Sequence, residues 1–143
     1  MTIEKRQLSE KNDNFIMLPT VDFCFKELMQ NKEVRKGILS ALLGKNPEEL
    51  EDTELLPTIL QPEYQDEKLG ILDVRVLFAD GTQTDLEMQV VQFDFWPNRV
   101  LFYLGKMYTG QIKRGEPYEK LKKCIHVSIL DFLHFPKDDR CFR

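Results

Sequence analysis

Residues 71–91, with the sequence ILDVRVLFADGTQTDLEMQVV, decide the fold of this chain. Apolar and polar side chains alternate from Ile71 to Phe78 and again from Thr82 to Val91. A period of two is typical of half-buried strands, and the intervening residues 79–81 form a turn sequence that contains glycine. The stretch therefore predicts a β-hairpin, around which the other elements pack.

The two apolar rows determine the register of this hairpin. Their members all occupy even positions: Leu72, Val74, Val76, Phe78, Thr84, Leu86, Met88 and Val90. Opposed residues of an antiparallel pair share a face, so the numbers of paired residues must add up to an even value. A two-residue turn gives an odd sum, whereas a three-residue loop of 79–81 gives 160, with Gly81 where a positive φ is favoured. This register predicts that Asp73 lies directly opposite Glu87.

The other face of the hairpin carries Asp73, Arg75, Asp85, Glu87 and Gln89. One interpretation is the solvated face of an antiparallel sheet. The other is a metal site, because directly opposed Cβ atoms lie about 4.5–5.5 Å apart and two carboxylates at that distance can hold one hard divalent cation. Like charges this close need compensation by a cation, by Arg75 or by a shared proton. A magnesium ion explains the pair better than solubility does.

The flanking sequence supplies helices and further strands. Thr20 is predicted to cap a helix with Asp22 in its first turn, and Gly44 ends the helical pattern. Asn31 and Gly37 are weak helix formers, so we expect two short helices or one kinked helix here. Further predicted elements are a short strand at 58–61, a helix from Trp96 to Gly115 that Trp96 anchors by packing, and a strand at 124–130. The predicted order is helix, strand, hairpin, helix, strand, which is an α/β arrangement.

Composition limits the class of protein. The 143 residues suit one soluble domain, with 31% charged and 42% hydrophobic residues. We interpret 1–14 as a polar lead-in, 15–135 as the domain and 136–143 as a polar tail. Because the sequence has no long apolar run, we expect neither a membrane span nor a secretory signal. Three dispersed cysteines (Cys24, Cys124, Cys141) without a C-x-x-C pair favour the cytoplasm.

The composition also limits the catalytic and binding chemistry that the side chains can supply. Only His126 and His134 are histidines, and no phosphate-binding glycine loop or nucleophile-elbow motif is present, so the candidate chemistry rests on carboxylates. Charge is uneven, because residues 1–98 hold 10 Lys and Arg against 19 Asp and Glu, whereas 99–123 hold 7 against 2. An acidic chain with one basic segment predicts only local nucleic-acid contacts. An ordinary solvated helix face is the other interpretation, and Tyr103, Tyr108 and Tyr118 are expected to be core or half-buried packing residues rather than to stack on bases.

An ordered series of short motifs suggests a family. The motifs are Asp22 with Phe25-Lys26-x-Leu28, Leu72-Asp73-Val74, Leu86-Glu87-Met88-Gln89, a run of Arg99, Tyr103, Tyr108, Gln111, Gly115, Tyr118 and Leu121, and the strand of 125–132. In this order, over residues 22–135, they resemble the PD-(D/E)XK nuclease family transposases, also called the Rpn family of recombination-promoting nucleases.

The resemblance implies a restriction-endonuclease-like core, in which helices flank a mixed central sheet. It implies a magnesium-dependent DNA endonuclease, with manganese as a substitute, in which Asp73 and Glu87 bind the metal. Gln89 then stands where such nucleases usually carry a lysine. In this reading Arg99, Lys106, Lys113 and Arg114 contact the DNA backbone. Asp22 is either an additional acid or a helix N-terminal charge.

Two other functions remain open from the sequence. One is a catalytically inactive relic that binds nucleic acid or self-associates, for example as a homodimer. Family members are usually longer than this chain, which favours a shortened copy. The other is a carboxylate transposase with an RNase H-like sheet, for which Asp131 is the strand-associated candidate for a third acid.

Overall fold

A computed structural model describes residues 16–62 and 64–135. The predicted lead-in and tail lie outside these residues, as does Cys141. The described residues form two 3-10 helices, Pro47–Leu50 and Tyr118–Lys120, and nine α-helices and β-strands. In chain order these are α1 (Asp22–Gln30), α2 (Lys32–Leu43), β1 (Glu54–Leu56), β2 (Ile59–Leu60), β3 (Gly70–Ile71), β4 (Val74–Leu77), β5 (Gln83–Gln89), α3 (Trp96–Thr109) and β6 (Cys124–Leu130).

Four strands form a mixed sheet in the order β1-β4-β5-β6. The pairs β1/β4 and β4/β5 are antiparallel, and β6 lies parallel to β5. The short strands β2 and β3 form a separate antiparallel ribbon. Helices lie on both sides of the sheet, so the predicted α/β class and the restriction-endonuclease-like arrangement, a mixed sheet flanked by helices, are confirmed.

The hairpin has the register that the alternation predicts. Val74 pairs with Leu86 and Val76 with Thr84, so paired numbers add up to 160. Gly81 has a φ of 85° and its N–H donates to Phe78 O at 2.9 Å, as a three-residue loop requires.

Asparagine separates the first two helices. Asn31 follows α1, and its side chain accepts the N–H groups of Glu33 and Val34 at the start of α2. Gly44 ends α2 in the left-handed conformation, with a φ of 63°. The prediction of two short helices is therefore confirmed. The predicted cap is wrong, because Val21 precedes α1 and no side chain caps that end.

The helix α3 is shorter than its apolar pattern predicts. It begins at the buried Trp96, as expected, but ends at Thr109 rather than at Gly115. Gly115 has a φ of 86° and lies in a later turn. The basic segment is therefore divided between the helix and the loop that follows it.

Each face of the sheet has its own apolar cluster. Leu86, Val74 and Val76 pack with Phe25 of α1 and Leu39 of α2 on one side. Tyr103 and Met107 of α3 pack on the other side with Leu60 and Leu72. Leu72 thus departs from the predicted even-numbered row, because the chain bends at Asp73 between β3 and β4 and the alternation is interrupted there.

Within the described residues, no helix combines the length and the apolar character needed to cross a bilayer.

Candidate active site

The hairpin register brings Asp73 and Glu87 together. Asp73 lies at the bend just before β4, next to Val74, which pairs with Leu86, the residue before Glu87 on β5. Its Oδ2 accepts the N–H of Met88, the neighbour of Glu87, at 3.1 Å. The bend at Asp73 and this hydrogen bond hold the carboxyl group of Asp73 against β5.

The polar face of the hairpin is buried, not solvated. Asp85 is 0%, Glu87 1% and Gln89 9% exposed. The cause is α3, which lies over this face and places Trp96 beside the ring of His126, with 6.1 Å between the ring centroids. The interpretation of this row as an ordinary wet face is therefore wrong.

The carboxylate of Glu87 lacks hydrogen-bond donors. Both of its oxygens are buried, and neither has a hydrogen-bond partner. The nearest cation is Arg99 of α3, whose Nη2 lies 3.4 Å from Oε2 of Glu87. Burial without donors raises the pKa of Glu87 to about 8; the negative charge of Asp85 adds to this shift and Arg99 opposes it.

Asp73 is perturbed in the same direction. Burial raises the pKa of its carboxyl group, against the opposing effects of the Met88 N–H and of Lys26. Arg75 does not compensate this pair, because its guanidinium donates to Oε1 of Gln83, 2.6 Å from Nη2, and to Pro57 O. Arg75 is therefore excluded as the group that compensates the negative charges of Asp73 and Glu87. A shared proton and a bound cation remain.

The donor set suits an ion that keeps most of its water. In residues 16–62 and 64–135, no group of three or more His, Cys, Asp or Glu side chains is arranged to hold a metal. Mg²⁺ is commonly bound through one or two carboxylates, with water and substrate phosphate as its other ligands. Two neighbouring carboxyl groups, one with unpaired buried oxygens, fit that requirement.

The side chain of Gln89 is hydrogen-bonded to the backbone just beyond the end of β5. Its Nε2 donates to the carbonyl oxygen of Val91 at 2.7 Å. The amide nitrogen is thus already bonded within the protein, and an amide carries no charge in any case.

Lys26 supplies a positive charge that the sequence analysis did not assign to the site. Its Nζ lies 3.8 Å from Oδ1 of Asp73 and 3.0 Å from Oδ2 of Asp22. Asp22 itself is largely exposed in the first turn of α1. The Phe25-Lys26 pair was visible in the sequence, but only the packing of α1 against the hairpin places the amine beside Asp73.

A second polar group, also missed from sequence, lies behind the site. Nδ1 of His126 is 2.7 Å from Oδ2 of Asp85, and Nε2 is 2.7 Å from Oγ of Ser128. The alternation along β6 could have placed His126 and Ser128 on one face. The parallel pairing of β6 with β5 decides that they face Asp85 and Glu87.

The four predicted DNA-contacting cations have different surroundings. Arg99 faces Glu87, and Lys106 forms an ion pair with Glu67 and lies over the ring of Phe102. Lys113 and Arg114 are exposed in the loop after α3. They do not share one helix face.

Solvent exposure also tests the predictions made for the three tyrosines and for Asp131. Tyr103 is buried and Tyr108, at 44% exposure, has more than half of its surface covered, as expected, whereas Tyr118 is 79% exposed, so its predicted packing is wrong. Asp131 follows β6 and is exposed, and its N–H donates to Gln89 O. Cys24 and Cys124 are free thiols.

Comparison with known proteins gives one family. The family model described as PD-(D/E)XK nuclease family transposase matches residues 19–142. No curated protein and no solved structure matches the chain.

Proposed function

Because this chain belongs to the PD-(D/E)XK nuclease family transposases, we propose that it is a magnesium-dependent endonuclease that hydrolyses DNA phosphodiester bonds. Asp73 and Glu87 would bind the ion, with manganese as a substitute. The observation that carries the proposal is the buried carboxylate of Glu87, which has no hydrogen-bond donor and lies beside a second carboxyl group.

Burial of these acids has a cost that a proton or a bound cation offsets. An ionised carboxylate without donors is destabilising in a protein interior, and such groups in a cleft are characteristic of functional sites. A divalent cation held by Asp73 and Glu87 would supply the missing charge, and the chemistry it would provide is polarisation of the phosphate and a lower pKa of bound water. Asp73 and Glu87 would orient that ion, and the Met88 N–H fixes one of the two carboxyl groups.

The proposed source of positive charge is Lys26 rather than Gln89. Charge accumulates on the phosphoryl oxygens during hydrolysis, and nearby fixed cations stabilise it. Gln89 is neutral and donates to Val91 O, whereas the amine of Lys26 reaches Asp73 from α1. Lys26 would therefore contact the scissile phosphate when DNA is bound, and Arg99 would approach it from the side of Glu87.

The proposed contacts to the DNA backbone follow the exposure of the cations. Lys113 and Arg114 are exposed after α3 and are suited to sequence-independent phosphate contacts. Lys106 would first have to leave Glu67. This makes Lys113 and Arg114 the stronger candidates of the original four, together with Arg99 at the site.

The alternative function is an inactive relic that binds nucleic acid or self-associates. The observation in its favour is the engaged amide of Gln89 at the position where such nucleases usually carry a lysine. It predicts no cleavage and no stabilisation by divalent ions.

Plasmid nicking with magnesium distinguishes these functions. Asp73→Ala and Glu87→Ala should abolish nicking, and Asp131→Ala, which removes an exposed acid next to the same sheet, should not. Loss in Asp131→Ala would instead support a third catalytic acid. Equal residual nicking in wild type, Asp73→Ala and Glu87→Ala would identify a contaminant and refute catalysis.

A thermal-shift measurement tests the ion site independently of DNA cleavage. Mn²⁺ or Mg²⁺ should raise the melting temperature of wild type, because a ligand that binds only the folded state stabilises it. Asp73→Ala should abolish the shift and Asp131→Ala should keep it. Equal shifts in wild type and Asp73→Ala would refute this ion site.

A further inference from the structure

A groove opens on the outer side of the candidate site, along the first half of α3. Its volume is about 500 Å³, within the range of small-ligand sites. Six residues line it: Lys68, Phe95, Asn98, Arg99, Phe102 and Tyr103. Arg99 joins the groove to the site, because the same guanidinium lies 3.4 Å from Glu87. Whatever occupies the groove therefore lies next to the carboxylates.

The groove is positively charged. Lys68 and Arg99 are its charged lining residues, and none of the six lining residues is acidic. The guanidinium of Arg99 is held in place between aromatic rings, at 5.6 Å from the Trp96 centroid and 5.2 Å from the Tyr103 centroid. Two cations in a groove whose lining has no carboxylate suit an anionic ligand.

The groove also presents an exposed aromatic ring. Phe95 is 57% exposed and stacks on Phe93, with 5.0 Å between centroids and 14° between ring planes. Stacking on Phe93 holds the Phe95 ring and leaves its remaining surface in contact with solvent. Flat aromatic surfaces beside cations are how proteins bind unpaired bases, since every base has a π-face to stack.

We propose that this groove binds one unpaired nucleotide of the DNA next to the cleaved bond. The base stacks on Phe95, Arg99 and Lys68 hold its phosphate, and the amide of Asn98 lies within the same groove. The proposal rests on the proposed nuclease function and narrows its substrate class to DNA with single-stranded or unpaired bases at the cut. A fully paired duplex cannot place a base in the groove without unpairing and extruding it, which is energetically unfavourable.

Binding without cleavage tests this directly. Fluorescence anisotropy with labelled oligothymidylate and with a labelled blunt duplex of equal length is measured on the full chain without divalent ions. Phe95→Ala should weaken single-strand binding about tenfold, because stacking contributes about 1–3 kcal/mol per base. Duplex binding should change less than twofold. Phe95→Trp should retain single-strand binding.

A matched control excludes a general effect of removing an exposed ring. Phe23 is 64% exposed on α1, the helix that packs on the other side of the sheet, so Phe23→Ala should leave both affinities unchanged. Lys68→Gln should weaken binding and lower the salt slope for single strands by about 0.7.

Three outcomes would overturn the proposal. They are equal losses in Phe95→Ala and Phe23→Ala, equal losses for single strand and duplex, and no loss in Phe95→Ala. Because the assay omits divalent ions, a failure of cleavage leaves its result interpretable. Phe95-dependent binding without nicking would refute the catalytic proposal alone, and nicking without Phe95-dependent binding would refute the groove alone.

Discussion

Replacing Glu87 with glutamine should stabilise the protein in the absence of metal and should abolish its response to metal. The carboxyl group is 1% exposed, and its oxygens have no hydrogen-bond donor. Its pKa is about 8 in the folded chain, against an ordinary value of 4.5. Glutamine keeps the shape of the side chain but cannot ionise, so the cost of the buried charge disappears.

The sign follows from proton binding. Between pH 4.5 and 8 the folded state holds a proton at Glu87 that the unfolded state has released. The stability of wild type therefore falls as the pH rises through this window, and the loss is complete above pH 8. Each pH unit costs about 1.4 kcal/mol, so Glu87 contributes a loss of about 3 kcal/mol between pH 4.5 and 7.

Urea unfolding at several pH values measures the effect. The difference in unfolding free energy between Glu87→Gln and wild type should grow by about 3 kcal/mol between pH 4.5 and 7. Other titrating groups are common to both proteins and largely cancel. The exposed Glu119→Gln serves as the control and should stay within about 0.5 kcal/mol of wild type.

Divalent metal should reverse the order of stability of wild type and Glu87→Gln. Saturating Mn²⁺ should stabilise wild type at pH 7 and leave Glu87→Gln unchanged, because the ion binds the ionised carboxylate. A difference between the two proteins that does not vary with pH would refute the argument that Glu87 is a buried, poorly compensated acid. Stabilisation of both proteins by metal would show that the ion binds elsewhere.

Further substitutions test other parts of the structure. Lys26→Gln should lower the nicking rate about 10²- to 10³-fold, because it removes a cation that stabilises the developing charge, whereas Lys26→Arg should retain part of the rate. Gly81→Ala should cost about 1–2 kcal/mol in urea unfolding, since its φ is 85° and a Cβ would lie 2.9 Å from the Lys122 side chain. Leu86→Ala, at a fully buried position, should cost about 2–5 kcal/mol in the same measurement. His126→Ala should cost about 3 kcal/mol, because it leaves the buried carboxyl of Asp85 without its partner.

Much of the fold could be read from short-range patterns. The even-numbered apolar rows and the glycine at position 81 set the hairpin register, because a shift by one residue would turn every apolar side chain outward. Asn31 and Gly44 marked helix ends for equally local reasons, namely side-chain capping and a left-handed backbone. The end of α3 was misjudged, because the apolar stripe continues past Thr109, where the helix ends.

The site was only partly readable in this way. The proximity of Asp73 to Glu87 could be expected from the register, although the recorded pairing ends one residue earlier, at Val74 and Leu86. The approach of Lys26 and the contact between His126 and Asp85 depend on packing between elements distant in sequence, and neither alternation nor spacing encodes that.

The sequence by itself determined which side chains share a face of the hairpin, since the pleat of a strand imposes a period of two whatever surrounds it. Only the tertiary structure decided what that polar face contacts. From α3, Arg99 lies against Glu87 and Trp96 lies beside His126 of β6, and the burial of Glu87 makes an ionised carboxyl group costly. The affinity for a proton or a cation at Glu87 thus depends on a helix that the hairpin sequence does not specify.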